Sequence, residues 1–134
     1  KKLRNSGLRP TKQRLKICEV LFDTEKTFHF TINDLVKIIR EKLSQKISLA
    51  TVYNTVHAFK KKGYLKEISI NSDKNYFDTN TSIHHHFYDE DTNELIDCDV
   101  NAIDSVNVKN NITGKKINSV EVLIKVASDT QNQN

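Results

Sequence analysis

The 134-residue sequence predicts an α+β fold with helices in the first half and strands in the second. Two observations predict it. Apolar residues recur at helical spacing as far as Gly63 and alternate from Tyr64 onward, the two periodicities that separate helix from strand. The charge changes sign at nearly the same place. Residues 1–66 hold 16 Lys/Arg against 5 Asp/Glu, while residues 67–134 hold 5 against 12. A basic half for a polyanion is thus joined to an acidic half suited to cations. Basic residues that merely solvate helices would not by themselves separate the signs.

The first helix is expected to open at Thr11, an N-cap candidate after Pro10, with Leu15, Cys18, Leu21 and Phe22 on its apolar face. The second lies in TINDLVKIIREKL. There Thr31-x-x-Asp34 resembles a capping box, and Ile32, Leu35, Val36, Ile39 and Leu43 mark one face. In the third, SLATVYNTVHAFKKKG, Ser48 is the cap candidate, Val52, Val56 and Phe59 line the buried face, and Gly63 supplies the stop. YLKEISI and KNYFDT then alternate around Asn71-Ser72-Asp73, a hairpin signal. Helix, helix, helix, ribbon is the order of a winged helix-turn-helix domain, whose third helix enters the major groove of double-stranded DNA.

On that third helix Thr51, Tyr53, Asn54 and Thr55 are placed opposite the buried face, preceded by Ser48. They are short polar or amphipathic groups able to reach base edges, and Asn54 suits an adenine edge. Lys60, Lys61, Lys62 and Arg14 are phosphate-contact candidates. The same residues are also consistent with an ordinary exposed helix surface and a solvated charge run.

IHHHFYD and ELIDCD read as strands around a turn at Asp91-Thr92-Asn93. Alternation turns His84 and His86 to one face and His85 to the other. His84 and His86 are placed to share a metal ion, and Asp97 on the next strand to add a carboxylate. Imidazole plus carboxylate without thiolate suits Fe(II), Mn(II) or Zn(II). His85 is left for a second site, a partner subunit or solvent. A helix is expected near Val100–Val108, a loop at KNNITGK, and a strand in KINSVEVLIKVA with Val120, Val122, Ile124 and Val126 alternating. These pieces form a small α/β domain whose apolar strands have too few neighbours in one chain, which points to a homodimer. The expected boundaries are a DNA-binding domain at 1–79, a hinge at 80–82, an α/β dimerisation and sensing domain at 83–127 and a disordered tail at 128–134.

Two cysteines, Cys18 and Cys98, exclude a four-cysteine zinc site within one chain and give no disulfide framework, so the cytoplasm is the expected compartment. No apolar run approaches the roughly 18 residues that span a bilayer, and no leader pattern is visible, so no membrane partner is expected. The sequence contains no methionine, from which residues preceding Lys1 are expected.

SGLRPTKQR, SLATVYNTV, KNYFDTN and HHHFYDEDTNELID occur in that order. Together they resemble the ferric uptake regulator (Fur) superfamily over about Ser6 to Val126, and most nearly its iron response regulator (Irr) branch, whose signature includes the histidine triplet. The resemblance implies a dimeric DNA-binding transcriptional regulator that responds to iron, and in that branch to haem. It implies a regulatory metal site at His29, Asp78, His84, His86 and Asp97. A second metal or haem site is implied at His85, Asp104 and Glu121. Arg9 and Tyr53 match DNA-contact positions.

The sequence also departs from the pattern. Asp89 and Thr92 stand where many relatives carry the first of two Cys-x-x-Cys pairs, so no structural zinc is expected. Neither cysteine precedes proline, so any haem response rests on the triplet. Asn54 stands where many relatives have arginine. Three alternatives remain. A peroxide sensor like PerR uses nearly the same ligand types. A metallohydrolase could form at His84, His86 and Asp97, although no well-placed general base accompanies them. In an architectural DNA binder the histidines would be incidental.

Overall fold

A computed structural model describes residues 2–44, 46–99 and 101–129. The chain divides into two units, Lys1–Thr81 and Ser82–Asn134. The first contains α1 (Lys2–Asn5), α2 (Lys12–Phe22), β1 (His29–Phe30), α3 (Ile32–Leu43), α4 (Leu49–Lys61), β2 (Lys66–Asn71) and β3 (Lys74–Asp78). The second contains β4 (His86–Asp89), β5 (Glu94–Asp97) and β6 (Leu123–Val126). The protein is α+β, with a winged helix-turn-helix unit leading. No described helix is long and apolar enough to cross a membrane.

Side-chain oxygens start the three longer helices. Thr11, Ser48 and Thr31 sit in extended backbone and accept from the amides of Arg14, Thr51 and Asp34. At Thr31 the capping box is complete, because the Asp34 carboxylate also accepts from the Thr31 amide at 3.0 Å. Helix α4 ends in a Schellman motif. The Gly63 amide bonds the Lys60 carbonyl and the Tyr64 amide bonds the Phe59 carbonyl. Gly63 takes φ +80°, a conformation that a Cβ would oppose.

The three longer helices bury one stripe each. Ile17 and Leu21 come from α2, Leu35 and Ile39 from α3, and Val52, Val56 and Phe59 from α4. They meet Phe30 of β1 and Phe77 of β3 in one apolar cluster. Two details differ from the expectation. In α2 the inward stripe centres on Ile17 rather than Leu15, which is exposed, while Cys18 packs at the margin, where desolvation raises its thiol pKa. In α4 Thr55 is fully buried, its hydroxyl donating to the Thr51 carbonyl at 2.7 Å, so it does not face solvent with its neighbours.

The hairpin forms as expected, β2 against β3, and an Asx turn closes it, with Asn71 Oδ1 accepting from the Asp73 amide. A two-residue strand, β1, adds a third member in the order β1-β3-β2 and pairs His29 with Asp78 and Phe30 with Phe77. Helical and strand periodicities both miss so short a piece. The four-residue α1 was also unanticipated; it buries Leu3 in the helical core.

In the second unit β4 lies between antiparallel β5 and parallel β6. Asp89 Oδ1 accepts from the amides of Asp91 and Thr92, and Asn93 takes φ +59°, turning the chain from β4 into β5. The helix expected near Val100–Val108 is not formed at 101–108; Val100 lies outside the described residues. The stretch holds Asn101, Asn107 and three valine or isoleucine residues, which favour helices poorly. The expected long strand reduces to Leu123–Val126. Of the expected tail, residues 130–134 lie outside the described residues, but Ser128 is anchored. The Asp91 carboxylate accepts from both its amide and its hydroxyl.

Two outcomes test these contacts. Thr31→Ala should cost about 1 kcal/mol of stability in urea melts, the usual worth of an N-cap, whereas Thr31→Ser should be nearly neutral. The Ser128 hydroxyl and then its amide hold the Asp91 pKa below the ordinary carboxylate value. Whatever the contact contributes is therefore present above that ordinary value and lost as pH falls through the lowered one. Asp91→Ala should accelerate amide exchange at Ser128 and remove this acid dependence, as read by hydrogen-exchange NMR.

Candidate functional site

The first candidate surface is α4. Ser48 is both its cap and a partner of the Thr51 hydroxyl at 2.9 Å, which orders the start of the helix. Beyond them Tyr53, 51% exposed, and Asn54 project away from the buried stripe. Lys61 is exposed, but Lys60 is ion-paired with Glu67 of β2. That pairing draws Lys60 toward the wing and leaves less of its charge for a phosphate. Arg14 donates from Nη1 to the Arg9 carbonyl at 3.0 Å, so it shapes the loop that presents the exposed Arg9.

His57, which the sequence reading passed over, is one helical turn after Tyr53 with its ring 4.1 Å away, centre to centre. The i, i+4 spacing of two rings was the legible signal.

Among the described residues, candidate metal ligands occur in each unit. In the first, His29 of β1 and Asp78 of β3 are directly opposed cross-strand partners. Their side chains therefore leave the sheet on the same face, with Cβ atoms about 5 Å apart. Asp78 is buried, and its Oδ1 accepts from the Asn80 amide at 2.8 Å. The His29 ring meets Tyr76 edge-on.

In the second unit, His84 and His86 share a face, their ring centroids 4.3 Å apart. Asp97, the β5 partner of His86, brings Oδ1 to 3.1 Å from His86 Nε2 and 3.6 Å from His84 Nε2. The tautomer of His84 follows from its other nitrogen. Nδ1 lies 2.7 Å from the Ser82 carbonyl, an oxygen that can only accept, so Nδ1 carries the proton. In the neutral ring the lone pair is then on Nε2, aimed at the carboxylate. A backbone carbonyl bonded to the other ring nitrogen is the usual support of a metal-ligating histidine. Two imidazole nitrogens and a carboxylate oxygen converging in this way fit Fe(II), Mn(II) or Zn(II).

His85 faces the other way. Its Nδ1 accepts from the Val122 amide at 2.9 Å, and its own carbonyl accepts from the Cys98 amide, so it links the strand to both neighbours. Asp104 and Glu121 are exposed. Among the described residues they do not gather with His85 into a group able to hold an ion. The helix expected to carry Asp104 is not formed among the described residues 101–108, and one His85 nitrogen is engaged with the Val122 amide. Cys98 is half-buried, and desolvation followed by the Asp97 charge raises its pKa, which disfavours the thiolate that a metal would require.

These features agree with comparisons to known proteins. The model of the ferric uptake regulator family matches residues 5–126. The chain is 32% identical over 116 residues to the peroxide operon regulator of Bacillus subtilis, covering 86% of this chain and 78% of that one. It is 32% identical over 104 residues to the peroxide-responsive repressor PerR of Staphylococcus epidermidis, covering 78% and 67%. The structure resembles that of the Vibrio cholerae ferric uptake regulator with a TM-score of 0.69 at 25% identity, covering 94% and 96%.

Replacing His85 by alanine should leave the Val122 amide without its acceptor. A hydrogen bond worth about 1 kcal/mol implies a 5- to 10-fold faster exchange at Val122 by NMR. An unchanged rate would remove the strand-linking role assigned to this ring.

Proposed function

The chain belongs to the ferric uptake regulator family, and on that premise we propose that this metal-responsive transcriptional regulator binds operator DNA as a homodimer in the cytoplasm. Members of the family are transcription regulators rather than enzymes, which disfavours the metallohydrolase reading. Helix α4 enters the major groove, with Thr51, Tyr53 and Asn54 toward base edges and Arg9 and Lys61 toward phosphates. The acidic second unit, Ser82–Asn134, senses and dimerises. Its apolar residues that remain exposed, Ile96, Val106, Val108, Ile112 and Ile117 among them, are the surface a second copy would cover.

The observation that carries the metal reading is the convergence of His84, His86 and Asp97, with the Ser82 carbonyl fixing the His84 ring. In this reading His29 and Asp78 complete the ligand set. When bound, Fe(II) would supply reactivity toward peroxide, whereas Mn(II) or Zn(II) would supply charge alone. The chain's own residues fix the imidazoles, keep their lone pairs inward and bring carboxylates to balance the ion.

A peroxide response is favoured over a haem response by the peroxide regulators among the relatives and by the engagement of His85 Nδ1 with Val122. A haem response would have to rest on the triplet alone.

In gel-shift titrations, binding to a duplex selected from a randomised library should fail in chelator and return with Mn(II). It should also weaken with salt at a log–log slope of about −0.9 per phosphate neutralised. His84→Ala and His86→Ala should each weaken the metal-dependent binding by at least about 10-fold. Binding indifferent to salt, metal and both substitutions would end this reading. Peroxide treatment of the Fe(II)-loaded protein should add one oxygen to His29 or His84 by mass spectrometry. An absorbance change with haem that disappears in the His84/His85/His86 triple alanine variant would instead favour the haem response.

A further inference from the structure

His57 is the one histidine that lies outside both candidate ligand groups and outside the run His84–His86. Its ring is half-buried between two others. On one side it lies against Tyr53 at 4.1 Å, tilted by 40°. On the other it meets Phe77 edge-on, at 5.4 Å and 83°. Phe77 is itself immobilised. It is 2% exposed, stacks on Phe30 at 6.0 Å, and belongs to the central strand of its sheet. A row of rings therefore runs from the core, through His57, to the exposed phenol of Tyr53.

We propose that His57 is a positioning residue for DNA recognition: its imidazole, braced on Phe77, holds the Tyr53 ring in the orientation in which it meets the duplex. The proposal rests on the DNA-binding reading of α4. An exposed tyrosine on a helix samples several side-chain rotamers, and binding must select one. A flat neighbour one turn away removes part of that freedom beforehand, because offset or tilted ring pairs have an orientational preference that a Tyr–Leu contact lacks. Freezing one such side chain on binding corresponds to about a 3- to 10-fold loss in affinity, which is the size of effect expected when the brace is removed.

The test uses the full chain with Mn(II) and a duplex selected from a randomised library by the wild-type protein. His57→Leu keeps the volume without a flat face, and His57→Phe keeps the ring. Leu should weaken specific binding about 3- to 10-fold and Phe less than about 2-fold, with equal melting temperatures and unchanged affinity for an unrelated duplex. In a Tyr53→Ala background the two His57 substitutions should have no further effect. Without DNA, the Tyr53 ring-proton NMR shifts should stay displaced from free-tyrosine values in the Phe variant and relax toward them in the Leu variant.

Equal binding by the Leu and Phe variants, or a His57 effect that survives Tyr53→Ala, overturns the proposal. If the wild type selects a duplex but Tyr53→Ala is silent, the proposal also fails while the DNA-binding reading stands. If the wild type selects no duplex, both fall.

Discussion

Successive side chains of an extended segment leave on opposite faces, and that constraint decides what three adjacent histidines can do. His84 and His86 are forced together against Asp97, while His85 is forced into the hydrogen-bonding edge where β4 meets β6. The first pair becomes a polar group that calls for a cation. The middle ring becomes a structural tie. Shifting the strand by one residue would exchange these roles and pull Asp97 away from its partners, because the β4–β5 register pairs His86 with Asp97. The turn after Asp89 guards that register. Its carboxylate accepts from two amides, and the Tyr88 hydroxyl donates to Asn93 across the same turn.

Much of this was legible from residue order. The capping residues Thr11, Thr31 and Ser48, the stop at Gly63 and the hairpin around Ser72 are local signals, set by hydrogen bonds within a few residues, and all appear where the pattern put them. The facing of His84 and His86 was legible for the same reason. What escaped depends on contacts between distant residues. Strand β1 exists because His29 and Phe30 find partners some 48 residues later in β3, and two residues have no periodicity to detect. Thr55 looked polar and therefore exterior, yet its hydroxyl is satisfied within its own helix and the rest of it is core. The helix expected near Val100–Val108 is not formed at 101–108, where asparagines and β-branched residues favour helices poorly.

The two ligand groups sit on structures of different strength. His29 and Asp78 are held by a sheet whose Phe30 and Phe77 belong to the main apolar cluster, so their positions follow from the best-packed part of the chain. His84, His86 and Asp97 stand on a three-stranded sheet whose buried apolar residues are Tyr88 and Leu95, with His86 beside them. A group so lightly supported gains from any ion or partner that binds it, because whatever binds only the folded form stabilises it. Ligand binding and folding of the second unit are thereby linked.

The join between α4 and β2 leaves little slack. The Schellman motif at Gly63 closes the helix, Tyr64 and Leu65 pack at once on the core, and the Lys60–Glu67 pair spans the corner. If α4 enters the groove as proposed, helix and hairpin act as one stiff gauge instead of two independent probes. A duplex touched by both must present groove and backbone at the separation that the gauge dictates, or bend until it does. Base steps that never contact a side chain then influence affinity through the ease with which they deform, so part of the sequence preference is written in the mechanics of the DNA.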